Sequence, residues 1–211
     1  MMKTADWYFD FISPFAYLQM ARFVEISQVV NIRPVPVVFG GLLKHWKQLG
    51  PAEIPPKRTF VYRYFQWQAD RLGLPFQMPP SHPYNPLPSL RLCLAAGAKI
   101  SDVRAVYDVI YGRGMQPDGP EAISEMAKAL GILNAEAALA DDAVKATLRQ
   151  NTQQAIEAGV FGVPTFVLEG QIFWGGDATD MMLDFAANPE LFEGAEMTRI
   201  SEMPMGVIRQ R

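Results

Sequence analysis

A serine stands where an apolar, aromatic run meets a proline, at Ser13-Pro14. Serine followed by proline is typical of a helix N-terminus, where the serine hydroxyl caps the first turn. The same end of a helix carries a partial positive charge that stabilises a thiolate. The residues Ser13 to Ala16 include no cysteine, which excludes two-cysteine redox chemistry at this position. Ser13 is therefore interpreted as a helix cap, a hydrogen-bond donor to the sulfur of an external thiol, or both.

Two later motifs have the same double interpretation. Val163-Pro164 precedes a strand-like run, so Pro164 is either an ordinary rigid start or a cis-proline that leaves the backbone of Val163 free for a ligand. Gly175-Gly176-Asp177 is either a turn with Asp177 as N-cap or a site for a zwitterion. In the second case free N–H groups at the helix start would bind a carboxylate, and Asp177 would bind an ammonium group.

Other polar residues are weaker candidates. Lys44 and Lys57 are either solvated surface charges or cations that bind carboxylates. The chain has two histidines and one cysteine, so neither a histidine cluster for a metal nor an internal disulfide is expected. His82 is interpreted as part of a structural loop, and Cys93 as a buried, inert residue of a helix.

Composition limits the class of protein. The 211 residues are 49% hydrophobic and 19% charged, which allows one large domain or two small ones with a substantial core. A net charge of −3 gives no reason to expect nucleic acid or an anionic membrane as partner. Neither a signal peptide nor a membrane-spanning run is recognisable, and we expect a cytoplasmic protein.

The first forty residues have a β-α-β pattern. Residues 5–12 are predicted to form a strand, residues 13–30 a helix, and residues 32–39 a second strand that Gly40-Gly41 ends. Two prolines in the second strand, Pro34 and Pro36, cannot donate to a ladder and place it at a sheet edge.

Helical spacing then dominates to about residue 158, and strand character returns in a hairpin. Thr165–Leu168 and Gln171–Trp174 flank the turn Glu169-Gly170, and a last helix follows Asp177. The order β-α-β, helical block, β-β-α predicts an α/β protein with a thioredoxin-like fold and a large all-helical insertion. The predicted boundaries are residues 1–41 plus 159–211 for the thioredoxin-like domain and residues 42–158 for the insertion.

Three motifs resemble one family in order and spacing. FDFISPFAYL at residues 9–18 resembles the opening of 2-hydroxychromene-2-carboxylate isomerases and kappa-class glutathione transferases, which share a DsbA-like thioredoxin fold. FGVPTF at 161–166 is similar to their cis-proline loop, and FWGGD at 173–177 to their glutathione-holding turn. The stretch 42–58 looks closer to the isomerase branch. The resemblance spans nearly the whole chain.

The resemblance implies glutathione as cofactor, an aromatic carboxylate as substrate and a homodimer. The composition adds the expectation that neither nucleic acid nor membrane is a partner. Ser13 would be the catalytic residue that holds the thiolate, and Lys57 would lie near the glycyl end of glutathione. Gln48 stands where kappa-class enzymes have an asparagine. The remaining implied contacts are Val163, Pro164, Trp174, Gly175, Gly176 and Asp177 for glutathione, and Lys44 and Gln48 for the substrate. Tyr84 and Asn85 are further candidate substrate contacts, because the loop that contains them could line the pocket.

Three functions stay open at this point. The first is interconversion of 2-hydroxychromene-2-carboxylate and trans-o-hydroxybenzylidenepyruvate by reversible thiolate addition. The second is a kappa-like glutathione transferase, and the third is a non-catalytic thiol-peptide binding module. Aromatic residues would provide an apolar wall in the enzymes, although the same residues can form helix core; they are Phe15, Tyr62, Phe65 and Trp67.

Overall fold

A mixed four-stranded sheet forms the centre of the molecule in the computed structural model, which describes residues 2–207. Strand β1, Thr4–Phe9, pairs in parallel with β2, Asn31–Pro36, and antiparallel with β3, Thr165–Leu168. Strand β3 continues through a tight turn into β4, Gln171–Trp174, so the strand order is β2-β1-β3-β4. The predicted β-α-β unit and hairpin therefore share one sheet, and the proline-containing strand lies at its edge as expected.

The connection between β1 and β2 is more broken than the sequence predicts. Strand β1 ends three residues before Ile12, because the Ser13 N–H turns back to the carbonyl of Asp10 at 3.0 Å. The predicted long helix is divided into α1, Pro14–Gln19, a 3₁₀ turn, and α2, Phe23–Ile26.

The prediction that Gly40-Gly41 ends the second strand is wrong. Strand β2 ends at Pro36, and both glycines lie inside helix α3, Phe39–Trp46. A Cβ at Gly41 would lie 3.1 Å from the methyl group of Thr152 on helix α9, Asp142–Glu157. Gly41 thus lets two helices approach closely instead of terminating a strand.

Helices fill the chain between β2 and β3, as predicted. The remaining members of this block are α4, α5, α6, α7 and α8: Pro55–Leu72, Leu87–Ala96, Ile100–Tyr107, Pro120–Ala129 and Ala135–Ala140. A π turn follows α6 at Asp108–Gly112. After the hairpin come α10, Thr179–Ala187, a 3₁₀ turn, Pro189–Phe192, and α11, Ala195–Ser201.

One core joins the sheet to the helical block. Trp7 and Phe9 of β1 stack at 4.6 Å between ring centroids, and Phe11 contacts Tyr107 of α6 at 4.7 Å. Cys93 of α5 is fully buried in the same cluster, and burial raises the pKa of its thiol. The division into residues 1–41 plus 159–211 and residues 42–158 stays a prediction, and the two parts share this core. Within residues 2–207, no helix is both long and apolar enough to cross a membrane.

Candidate active site

A cavity of about 890 Å³ lies between the carboxyl end of β1 and helix α4. This size is within the usual range for small-molecule sites. The three motifs singled out in the sequence meet on one wall. All of the glutathione contacts predicted within these motifs line the cavity: Ser13, Val163, Pro164, Trp174, Gly175, Gly176 and Asp177.

Ser13 occupies the N-cap position of α1, but its side chain does not cap the helix. The backbone carbonyl of Ser13 accepts from the Ala16 N–H at 3.1 Å, whereas the hydroxyl makes no hydrogen bond to the helix. The hydroxyl instead points to the carbonyl oxygen of Val163, 3.5 Å from Oγ. This distance exceeds the roughly 2.5–3.0 Å of a normal hydroxyl bond, so the contact is weak. The hydroxyl is therefore held only weakly by hydrogen bonding to the protein.

The Val163-Pro164 peptide bond is cis, as predicted. It faces Ser13 across the end of the sheet through the Val163 carbonyl. The carbonyl of Pro164 accepts from the Gly175 N–H at 2.9 Å. The loop and the glycine turn are thus held together directly.

Gly175 has a left-handed backbone, with φ +87°, and this explains why glycine stands there. A Cβ on Gly175 would also lie 2.5 Å from Oδ1 of Asp177, while the position beside Gly176 is open. Of the two interpretations of this motif, the one in which Asp177 caps the following helix does not hold. Helix α10 begins two residues later, with Ala178 at the N-cap, so the carboxylate of Asp177 stays exposed at the cavity.

Trp174 lies between the cis-proline loop and the glycine turn. Its side chain is 54% exposed and its ring contacts Phe161 edge-on at 5.3 Å between centroids. A Cβ built at Gly162 would lie 2.6 Å from Nε1 of Trp174. The indole therefore packs directly on the backbone before Val163.

Gln19 positions the glycine turn and was not predicted from the sequence. Its side-chain amide donates to the carbonyl of Gly175 and to the hydroxyl of Thr179, both at 3.1 Å. Its carbonyl accepts from the indole N–H of Trp7 at 2.7 Å. The local sequence signal for this role is a glutamine that ends an otherwise apolar helical segment.

Two cations line the cavity in the described part of the chain, and they differ in pairing. Arg22 is bound by Glu25 and Asp180 at 2.8 and 2.6 Å. Lys57 is exposed, and residues 2–207 provide it with no salt bridge. The predicted glutathione contact Lys57 therefore lies at the cavity with an available charge.

The predicted substrate contacts Lys44 and Gln48 have different outcomes. Gln48 lines the cavity just beyond the end of α3, but Lys44 is exposed on α3 outside the lining.

Tyr84 and Asn85 do not reach the cavity lining, contrary to the prediction. Tyr84 is 7% exposed, and its hydroxyl donates to the carbonyl of Phe11 at 2.6 Å. Asn85 accepts from the Leu87 N–H at 3.1 Å and thereby shapes the start of α5. The local sequence Tyr-Asn does not reveal that Tyr84 is buried in the core or that Asn85 binds a backbone N–H.

His82 and Tyr62 form a polar pair in the cavity wall. The Nδ1 atom of His82 lies 2.7 Å from the hydroxyl of Tyr62, and Nε2 lies 2.8 Å from the carbonyl of Ile12. Burial lowers the pKa of His82 and raises that of Tyr62. His82 is thus more than a loop residue, since it contacts the residue before Ser13.

Asp10 is a buried acid three residues before Ser13. Its carboxylate accepts from the N–H groups of Phe39 and Ile12 at 2.8 and 3.1 Å. Burial raises its pKa from 3.8 to about 7, and the two backbone bonds oppose that increase. Asp10 ties the loop before α1 to the first turn of α3.

Helix α4 also lines the cavity and contributes several aromatic side chains to it. Phe15 packs edge-on against Phe65 at 4.6 Å between centroids, and Tyr62 also lines the space. Trp67, the fourth aromatic residue expected here, is outside the lining and stacks with Arg71 on the surface. Among residues 2–207 no group of three histidine, cysteine or acidic side chains is placed to hold a metal ion.

Comparisons with known proteins identify the family of this fold. A family model described as "DSBA-like thioredoxin domain" matches residues 4–187. The chain therefore belongs to the DsbA-like thioredoxin-domain family.

Within that family, the chain is a 2-hydroxychromene-2-carboxylate isomerase-like enzyme. It is 30% identical over 196 residues to the 2-hydroxychromene-2-carboxylate isomerase of Sphingobium xenophagum, covering 86% of this chain and 97% of the relative. A solved structure of a 2-hydroxychromene-2-carboxylate isomerase has a TM-score of 0.74 at 25% identity, covering 92% of this chain and 98% of the other. The glutathione S-transferase kappa 2 of Caenorhabditis elegans is 26% identical, with 89% and 93% covered.

Proposed function

We propose that the chain is a glutathione-dependent isomerase of aromatic carboxylates. The proposed reaction interconverts 2-hydroxychromene-2-carboxylate and trans-o-hydroxybenzylidenepyruvate, or a close analogue. The observation that carries the proposal is the meeting of Ser13, the cis Val163-Pro164 unit and the Gly175–Asp177 turn in one cavity that aromatic side chains also line.

The residues present fit glutathione by chemistry. Among residues 2–207, the carbonyl of Val163 accepts one long contact only, from the Ser13 hydroxyl, and it suits a peptide-like N–H. The open backbone at Gly176 and the exposed carboxylate of Asp177 suit the two opposite charges of a γ-glutamyl group. Lys57 would neutralise a carboxylate at the other end.

When bound, glutathione would supply a thiol that adds reversibly to a conjugated double bond, which makes that bond single and free to rotate until loss of the thiol restores the double bond. The hydroxyl of Ser13 would donate a hydrogen bond to the sulfur and favour its ionised form. Side chains of Phe15 and Phe65 would exclude water and hold the flat substrate close to that sulfur. Gln48 at the rim would contact the polar end of the substrate.

A turnover assay tests the proposal. The purified chain is mixed with 2-hydroxychromene-2-carboxylate, and the ultraviolet spectrum of this substrate is followed with and without a small amount of glutathione. Isomerisation that requires glutathione while the free thiol concentration stays constant supports the proposal. Stoichiometric loss of thiol would indicate a kappa-like transferase instead, and binding without turnover would indicate a thiol-peptide binding module.

A homodimer is part of the same proposal, because the resemblance to the isomerases implies it, and the cytoplasmic location expected from the sequence is proposed with it. Light scattering of the purified chain tests the assembly, and a mass of one chain would contradict it.

A further inference from the structure

The loop before Ser13 is held by side chains of the helical block. Each of three successive carbonyl oxygens, those of Asp10, Phe11 and Ile12, accepts a hydrogen bond from a residue between β2 and β3. The donors are Tyr107 at 3.0 Å, Tyr84 and Tyr111 at 2.6 and 3.0 Å, and His82 at 2.8 Å, respectively.

His82 differs from the three tyrosines because it lines the cavity and both of its ring nitrogens are occupied. A carbonyl can only accept, so the proton of the neutral ring must lie on Nε2, facing Ile12. Nδ1 is then an acceptor that faces the hydroxyl of Tyr62 at 2.7 Å. The same hydroxyl lies 2.8 Å from the backbone carbonyl oxygen of His82, so its single proton is shared between two acceptors of this residue. Burial disfavours the charged ring, which agrees with this neutral tautomer.

The peptide between Ile12 and Ser13 is consequently fixed on both sides. The carbonyl of this peptide, that of Ile12, accepts from His82. The N–H of the peptide, that of Ser13, donates to the carbonyl of Asp10 at 3.0 Å. This peptide sets the direction in which the side chain of Ser13 leaves the backbone.

We propose that His82, oriented by Tyr62, is a positioning residue that directs the Ser13 hydroxyl toward the sulfur of a bound thiol. The inference rests on the proposed use of glutathione and adds a residue that the three motifs do not include. His82 itself contacts neither thiol nor substrate, and acts through the backbone of Ile12.

A pair of substitutions separates positioning from general stability. His82→Phe keeps the ring volume but removes the donor to Ile12, whereas His82→Gln retains an N–H near the position of Nε2. We expect His82→Phe to raise the pKa of bound glutathione by about one unit, which lowers the thiolate fraction about tenfold below that pKa. The value of kcat should decrease with that fraction, the KM for glutathione should change less than twofold, and His82→Gln should restore most of the loss.

The readouts are thiolate absorbance against pH, steady-state kinetics, and nitrogen NMR of the histidine ring in the unliganded protein. The NMR spectrum should show the proton on Nε2, and Tyr62→Phe should shift Nδ1. Unchanged titration curves in His82→Phe, equal losses in both His82 variants, or a proton on Nδ1 would overturn the proposal. If His82→Phe fails to fold, Tyr62→Phe should give a smaller change in the same direction. Absence of glutathione binding to the wild-type chain would contradict the proposed function, while the NMR result would still test the tautomer.

Discussion

The hydroxyl oxygen of Ser13 lies 3.5 Å from the carbonyl oxygen of Val163, across the end of the sheet and 150 residues away in sequence. The contact joins the residue before helix α1 to the residue before the cis-proline. A hydroxyl that is bound this weakly can turn toward a ligand sulfur with little loss of protein hydrogen bonding.

Ser13→Ala should affect thiol chemistry more than stability. A serine side chain that caps a helix is worth about 1 kcal/mol, and Ser13 makes no such bond, so the free energy of unfolding should change by well under about 1 kcal/mol. A lost hydrogen bond to a thiolate is worth about 1.5–3 kcal/mol, so the pKa of bound glutathione should rise by about one to two units. Thiolate absorbance against pH measures the shift, and superimposed curves would show that Ser13 does not hold the thiolate.

Much of this arrangement is predictable from local sequence, for physical reasons that are visible in particular residues. Prolines 34 and 36 mark an edge strand because they cannot donate to a ladder. Gly170 marks the hairpin turn because glycine readily adopts the positive φ that it has there. Pro164 and the glycine turn were recognised because their motifs are short and continuous.

The site roles that the local sequence does not predict belong to residues whose partners are distant in sequence. Tyr84 was expected at the substrate, yet its hydroxyl donates to Phe11, 73 residues earlier. His82 contacts Ile12, 70 residues earlier, and Gln19 contacts Gly175, 156 residues later. No local spacing contains such pairings. The prediction that Gly40-Gly41 ends a strand is wrong for a related reason, because the close approach of helix α9 requires the small residue at position 41.

Asp177→Ala should weaken glutathione binding without destabilising the protein. The carboxylate does not cap α10, so its removal should leave the melting temperature nearly unchanged. Loss of a charged partner for an ammonium group should weaken binding by about 1.5–3 kcal/mol in calorimetry. Asp184→Ala is a matched control, because Asp184 is an exposed aspartate on the following helix α10 and lies outside the cavity. Equal affinities for wild type and Asp177→Ala would remove Asp177 from the site.

Gln19→Met should lower both stability and ligand affinity. The substitution keeps a similar volume but leaves the indole N–H of Trp7 and the carbonyl of Gly175 without their partner. Buried unpaired groups cost about 1–3 kcal/mol each, so the free energy of unfolding should decrease by at least about 2 kcal/mol. Chemical denaturation measures this loss, and Gln28→Met, an exposed glutamine of the same region, should be near neutral. A Gln19→Met protein as stable as the control would show that the glycine turn does not depend on this amide.

Asp10→Asn should change how stability depends on pH. The folded protein holds the pKa of Asp10 at about 7, above its ordinary value of 3.8, because the carboxyl group is buried. Between these values the folded state binds more protons than the unfolded state, so Asp10 contributes stability at low pH that is lost as pH rises toward 7. The slope is at most about 1.4 kcal/mol per pH unit. Asparagine cannot ionise, so the difference in unfolding free energy between wild type and Asp10→Asn should shift in favour of the variant from pH 4 to pH 7 and then level off. Other titrating groups, including His82, are present in both proteins and largely cancel in that difference. Denaturant titrations at a series of pH values measure it, and parallel stability curves would mean that Asp10 ionises in the folded protein as it does in the unfolded chain.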